Sequence, residues 1–274
     1  MAAFAALGVD ADVRPTESDA IVEAFREAAS APGLDAVVAG GGDGTLSGAA
    51  GQLAGSGRPF GILPLGTLNH LARDAGIPFE LDEAVAVIAA GHTRAIDVAE
   101  VNGRVFVNNS SVGLYPDMVR LREAQQERKG RGKRLAMLWA SLASLRHFRR
   151  HRLWISAPGL EAPIRTPLLF VGNNRYQVSL FALGQRELLD AGELCLYAIR
   201  ARSRAHLFWA GIRGIFGRLD QQRDFVTAYV TEAEISSDRP ALTLSVDGET
   251  VRMETPFRYR VRPKALTLIV PAER

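Results

Sequence analysis

The sequence predicts an α/β domain built on a parallel sheet, followed by a β-rich second domain, and three observations carry that expectation. In the first part of the chain, apolar runs at 36–39 and 60–65 alternate with segments whose apolar residues recur at helical spacing, the order of strands and covering helices in a parallel sheet. From about Val98 the segments become short, alternating and punctuated by turns. The length of 274 residues exceeds a usual single domain and favours two of ordinary size. The boundary is placed at 97/98, which gives domains over 1–97 and 98–264.

Each element follows from its residues. Residues 1–14 read as a helix end or loop with Gly8, then a short strand near 10–14 stopped by Pro15. Over 16–30, Ala20, Ile21, Ala24, Phe25 and Ala28 share a helical face, with Thr16 or Ser18 available as N-cap and Pro32 and Gly33 closing the helix. The run Ala36, Val37, Val38, Ala39 stops at Gly40, Gly41 and Gly42, which reads as a buried strand entering a glycine turn, with a helix then running to about Leu53. A loop at 55–59 leads to the apolar run 60–65, and PLGTLNHLARDAGIP (64–78) makes a second glycine turn that opens a helix. A helix over 82–90 precedes strand-like sequence with a hairpin turn at Asn102 and Gly103. Residues 118–150 form a long, arginine-rich helical stretch, and another helix covers 204–219. Strands are expected at 153–156, 168–171, 193–199, 225–235, 241–246, 250–253, 257–261 and 265–270.

Composition sets the class. Hydrophobic residues are 47% and charged residues 23%, enough for a sizeable core and unlike a disordered chain. The net charge of +3 is mild, no nucleic-acid module is recognisable, and the aromatics are not interleaved on strands, so nucleic acid is not an expected partner. The single cysteine, Cys195, cannot form an internal disulfide, and the opening MAAFAALGVD lacks a basic region, so a reducing, cytoplasmic setting without a signal peptide is expected. No stretch reaches about eighteen uncharged apolar residues, the length a spanning helix needs.

Chemistry gathers at the glycines. Three in succession let the backbone approach a ligand closely, and small residues after Asp43, Gly44 and Thr45 open a helix whose dipole favours an anion. The alternative is a tight strand-to-helix turn with no ligand. Neither a Walker motif nor the G-x-G-x-x-G fingerprint is present. A second turn presents Gly66, Thr67 and Asn69 at the carboxyl end of the next strand, where open α/β sheets bind ligands. Near the C-terminus, Asp247, Gly248 and Glu249 lie between apolar strands; such a turn can aim both carboxylates at one point, and it is equally a common hairpin.

Gly41, Gly42, Asp43, Gly44 and Thr45 resemble the GGDGT signature of the diacylglycerol kinase catalytic domain, shared with sphingosine kinases and bacterial lipid kinases. Gly66, Thr67 and Asn69 match its G-T-x-N motif, and residues 247–249 its D-G-E motif. The resemblance implies an α/β nucleotide-binding domain followed by a mostly antiparallel β-sandwich domain. The last strand, about 265–274, would return to the first domain, with the active site in the cleft between the two. It implies ATP held by residues 41–45, Gly66, Thr67 and Asn69, with Thr16 near the nucleotide or simply capping a helix. Glu249 would be the base, Asp247 its partner, and Asp43 and Asp97 the ligands of Mg²⁺, a hard cation that prefers oxygen. Asp43 also suits a helix cap.

This sequence departs from the pattern in three places. An N-terminal strand with an N-P-x-S-G-like loop is absent, His70 stands where aspartate is usual, and Ala191 stands before Gly192 where a structural metal site commonly has aspartate. Gly172, Asn173, Asn174, Arg175 and Tyr176 also resemble a family segment near the cleft, and suit a head-group contact or a plain turn.

A lipid substrate implies contact with a membrane surface. The basic stretch 129–152, with Arg146, Arg149, Arg150 and Arg152 around Leu138, Trp139 and Leu142, resembles an interfacial helix, as does 204–219 with Phe208, Trp209 and Phe216; both could equally pack on the protein. The activity expected is an ATP- and Mg²⁺-dependent lipid kinase acting on diacylglycerol or a related lipid. The alternatives are a kinase of a soluble acceptor, like the nicotinamide nucleotide kinases, or an inactive nucleotide- or lipid-binding regulator.

Overall fold

The structure, a computed structural model, describes residues 1–17, 20–113, 151–158, 160–178, 183–186, 188–199 and 225–272. Its contacts divide the chain into two units, one of Met1–Asn108, Gln185–Gly192 and Val261–Arg274, the other of Asn109–Gly184 and Glu193–Arg260. The first division thus falls after Asn108 rather than after Asp97. The hairpin that follows Asp97 stays in unit 1 because its first strand pairs with the C-terminal strand of the chain.

Unit 1 contains α1 (Ala2–Ala6), α2 (Ile21–Ser30), β1 (Val37–Gly41), α3 (Asp43–Leu53), β2 (Phe60–Pro64), α4 (His70–Asp74), α5 (Leu81–Ala90), β3 (Thr93–Val101) and β4 (Arg104–Phe106). β1 and β2 run parallel, from Val37 opposite Phe60 to Gly41 opposite Pro64. β3 and β4 form an antiparallel hairpin through Asn102 and Gly103, both at positive φ (47° and 83°), as a two-residue turn requires. The core gathers Leu46, Ala49, Ala50 and Leu53 of α3 against Phe60, Ile62, Ile96 and Val98. Helix α3 holds three glycines, Gly44, Gly48 and Gly51, each costing about 1 kcal/mol in a helix interior. Burying two leucines at about 1.5–3 kcal/mol each offsets that, so packing rather than propensity makes this helix. The glycines also admit close neighbours: a Cβ at Gly48 would lie 3.7 Å from Ile21, and one at Gly51 3.8 Å from Val105.

Unit 2 is built from antiparallel strands: β5 (Asn109–Gly113), β6 (His151–Ala157), β7 (Leu160–Thr166), β8 (Leu168–Asn173), β9 (Tyr176–Val178), β10 (Leu183–Arg186), β11 (Leu194–Ile199), β12 (Phe225–Val230), β13 (Glu232–Ser237), β14 (Ala241–Val246) and β15 (Glu249–Glu254), the end of β10 already belonging to unit 1. A six-stranded sheet runs β12-β11-β8-β5-β14-β15. A second layer runs β7-β6-β13 to the start of β16 (Phe257–Ile269), whose remainder lies in unit 1 and pairs with β3 and, in parallel, with β2. The Ser110 hydroxyl of β5 and the buried Tyr259 hydroxyl of β16 lie 3.0 Å apart, joining the layers.

Several elements differ from the sequence reading. No strand forms over 10–14, and α2 begins at Ile21 with Ala20 at its N-cap. Thr16 caps no helix; its exposed hydroxyl donates to the Arg14 carbonyl, because the chain is not yet helical there. The expected strands 257–261 and 265–270 are one strand, kinked rather than broken at Pro263 and Lys264, where Lys264 takes φ 51°. The span 225–235 divides at Thr231 into two strands of different layers. β7 went unseen because Pro163 interrupts its alternation, and β9 and β10 because they are short. Arg152 lies on β6, opposite Arg165, rather than on a helix. Ser18, the basic stretch 129–150 and the helix expected over 204–219 lie outside the described residues.

Candidate active site

In unit 1 the two glycine turns are stitched to each other. β1 ends at Gly41, Gly42 is the N-cap of α3 in extended conformation, and no side chain caps the helix. The first helical bond runs from Leu46 N–H to Gly42 O, so the amides of residues 43–45 precede the ladder and form the positive end of the helix dipole. Asp43 therefore does not cap its own helix. Its carboxylate reaches the second turn, where Oδ2 accepts from Asn69 N–H at 3.1 Å and Oδ1 from His70 N–H at 2.7 Å.

Asn69 locks the second turn from within. It is buried and left-handed (φ 46°), a conformation asparagine tolerates better than most residues. Its side-chain amide donates to Pro64 O and Gly66 O, and its Oδ1 accepts from Gly66 N–H at 3.1 Å. The two backbones touch where the glycines meet: a Cβ on Gly66 would lie 2.4 Å from the Gly42 Cα, and one on Gly41 2.7 Å from the Thr45 Cβ. Only glycine fits at Gly66, because the obstacle is main chain. Thr67 stands exposed at the tip, and His70 begins α4, offering its amide rather than a carboxylate.

Asp97 has a different task. It is buried, with Oδ1 accepting from Lys264 N–H at 2.8 Å and Oδ2 from Gly192 N–H at 2.7 Å, while its own amide donates to Leu189 O. These bonds make Asp97 a tie between β3, the kink of β16 and the segment 189–192. That segment docks further through Leu189 in the core and an Asp190–Arg94 ion pair, at Gly192 φ 72°. Among the described residues no group of three or more His, Cys, Asp or Glu could hold a metal. Asp43, half-buried with both oxygens on main-chain amides, lies at the start of α3, and a single carboxylate fits Mg²⁺ held largely through phosphate oxygens.

A buried ion pair escaped the sequence reading. Arg186 donates from Nε to Asp74 Oδ2 at 2.6 Å, and its other nitrogens to Val107 O and Asn108 Oδ1. The two side chains are 0% and 5% exposed. Asp74 ends α4, the helix whose first amide Asp43 holds, so this short helix is clamped at both ends. No spacing rule connects positions 74 and 186, and only a negative and a positive charge in apolar surroundings would have suggested them.

In unit 2, β14 and β15 join through Asp247 (φ 47°) and Gly248 (φ 87°), with Val246 opposite Glu249. The turn does not point its two carboxylates alike. Asp247 is buried, its Oδ1 accepting from Asn109 N–H at 2.9 Å while its own amide donates to Asn109 O at 2.8 Å. Glu249 is exposed. Asp247 thus anchors the hairpin to β5, and Glu249 is the carboxylate left facing outward. Residues 172–176 run from the end of β8 through Asn174 (φ 66°) and Arg175 into β9, with Asn173 and Asn174 both buried. Exposed Arg175 pairs with Glu193 and lies 4.6 Å from the centre of the Tyr229 ring, and this partnering raises its pKa, the Glu193 hydrogen bond most of all.

The chain is also similar to known proteins. The family profile of the diacylglycerol kinase catalytic domain matches residues 2–101. The "Probable lipid kinase YegS-like" of Pseudomonas aeruginosa is 32% identical over 267 residues, 97% of this chain and 86% of its own. That of Pseudomonas fluorescens is 30% identical over 270 residues, 98% of this chain and 88% of its own. In fold, a diacylglycerol kinase of Bacillus anthracis str. Sterne superposes with a TM-score of 0.72 at 19% identity, covering 99% of this chain and 89% of that one. With its glycine turns locked together and such relatives alongside it over nearly its full length, the chain belongs to the YegS-like lipid kinase family, which carries the diacylglycerol kinase catalytic domain.

Proposed function

We propose that this kinase transfers the γ-phosphoryl group of ATP to the hydroxyl of diacylglycerol or a related lipid at a membrane surface. The reading rests on the stitched pair of turns: unpaired helix-end amides at residues 43–45, held against Gly66 by Asp43 and Asn69, form a rigid anion cradle. Thr67, exposed at the second tip, adds a hydroxyl donor for the nucleotide phosphates. Mg²⁺, when bound with the nucleotide beside Asp43, offsets phosphate charge.

Glu249 takes the proton from the lipid hydroxyl as its oxygen forms the new P–O bond and the bond to the β,γ-bridging oxygen breaks, releasing ADP. Asp247 serves by fixing the hairpin that carries Glu249. Approach to lipid is peripheral in this reading, with the basic stretch 129–150 as the expected contact; among the described residues no helix is long and apolar enough to cross a membrane. Incubation with γ-labelled ATP, Mg²⁺ and vesicles carrying a panel of hydroxylated lipids tests the proposal. Label in diacylglycerol is the expected result, and labelling of a water-soluble acceptor alone would refute it.

A further inference from the structure

The six-stranded sheet of unit 2 carries an anomaly on one face. Ser111 of β5 and Ser245 of β14 stand directly opposite each other, and Asn109 lies two residues along β5 on the same face. Ser111 Oγ, Ser245 Oγ and Asn109 Oδ1 are all shut from solvent, and none has a hydrogen-bond partner among the described residues. Both serines are 0% exposed and Asn109 is 8% exposed. Unpaired buried oxygens are costly, and three on adjacent positions of two paired strands are not an accident of one side chain.

The surroundings describe what would satisfy them. Next to Ser111 on the same face stands Phe170, and next to Phe170 stands Tyr197. Tyr176 packs edge-on against Phe170 with ring centres 5.4 Å apart, and its ring fills the space a Cβ on Gly172, the partner of Asn109, would take. Among the described residues the charges near the three oxygens are Asp247, beside Asn109, and exposed Arg252, two residues along β15 from Thr250, the partner of Ser245, and on the same face. Asn109 Oδ1 can only accept a hydrogen bond, and each serine can accept or donate. The set matches a neutral group bearing a hydroxyl, backed by aliphatic chain.

We infer that Asn109, Ser111 and Ser245 form a polar subsite, beside the aromatic ledge of Phe170 and Tyr176, for the uncharged hydroxyl and ester groups of a glycerolipid. The inference rests on the lipid-kinase reading and deepens it. Oxygens closed to bulk water suit a ligand that arrives from a bilayer, because the aliphatic part restores the apolar cover as the polar part makes the bonds.

Calorimetry of the full chain with dihexanoylglycerol, without nucleotide, tests this against its dihexanoyl-phosphatidylglycerol counterpart. Wild type is expected to bind the neutral lipid more tightly. The Ser111→Ala/Ser245→Ala variant is expected to melt at the same temperature or higher, since it removes two unpaired hydroxyls, and to bind dihexanoylglycerol about tenfold more weakly, the value of two modest hydrogen bonds. Unchanged affinity in the variant overturns the subsite. A lowered melting temperature also overturns it, since the hydroxyls would then be structural partners, as does tighter binding of the anionic lipid. Binding is read without phosphoryl transfer, so an inactive protein that still shows this pattern would refute the kinase reading and leave the subsite standing.

Discussion

Asp247 and Glu249 stand two positions apart, yet one is buried and bonded to Asn109 while the other is exposed. Their substitutions should therefore separate. Glu249→Gln alters an exposed side chain and is expected to shift stability by no more than about 0.5 kcal/mol while lowering kcat by 10²-fold or more, on the order expected for loss of a general base. Paired melting curves and single-turnover assays check it, and a variant that keeps wild-type turnover removes Glu249 from the base role. Asp247→Ala strips the acceptor from a buried amide and should destabilise by about 1–3 kcal/mol. Asp247→Asn retains an acceptor oxygen and should recover most of both stability and rate, because the role is to position the hairpin. An Asn variant as inactive as Glu249→Gln would show that the Asp247 charge itself takes part.

Among the elements, the short helix α4 depends on what holds its ends. Arg186→Met leaves Asp74 buried without its charge partner and is expected to cost about 3–5 kcal/mol in chemical denaturation. Arg186→Met/Asp74→Leu should recover part of that loss, and a double variant as unstable as the single would mean that Val107 O and Asn108 are the partners that matter. At the other end, Gly66→Ala drives a methyl group to 2.4 Å from the Gly42 Cα. Main chain cannot rotate aside, so the two turns must part. The expected outcome is about 1–3 kcal/mol of destabilisation from overpacking together with a sharp rise in the KM for ATP. Unchanged nucleotide affinity would show that the cradle does not need the turns in contact.

For the whole molecule, two tyrosines set an alkaline limit. Burial pushes the phenol of Tyr259 well above its ordinary value, the hydrogen bond with Ser110 opposing this only in part, and burial followed by the hydrogen bond with Tyr229 raises Tyr197. A raised acid stays protonated in the folded chain while the unfolded chain ionises near pH 10, so the unfolded state binds fewer protons above that pH. Stability should be full below about pH 10 and fall as pH climbs beyond it, in melts followed between pH 8 and 11. Tyr259→Phe should flatten part of the decline, and an equally steep loss in that variant would assign the limit elsewhere.

Much of this architecture is legible locally. The run that ends at Gly40, the helix after Asp43, the hairpins at Asn102 and Asp247 and most strands of unit 2 follow from periodicity and turn residues, because those signals act between near neighbours. The glycine motifs marked the cradle for the same reason. Several features rest on pairs far apart in the chain, such as Asp43 with His70, Asp97 with Gly192 and Lys264, Asp74 with Arg186, and Ser111 opposite Ser245. No local pattern tells which distant main-chain amides or side chains a carboxylate will meet. Residue types and their spacing named the glycine turns and many of the elements, and the family resemblance carried by those motifs named the class of chemistry. Burial and long-range partners decided that Asp97 is a tie, Asp247 an anchor and Glu249 the outward carboxylate, because a charged group takes its role from whatever the fold brings within hydrogen-bond reach.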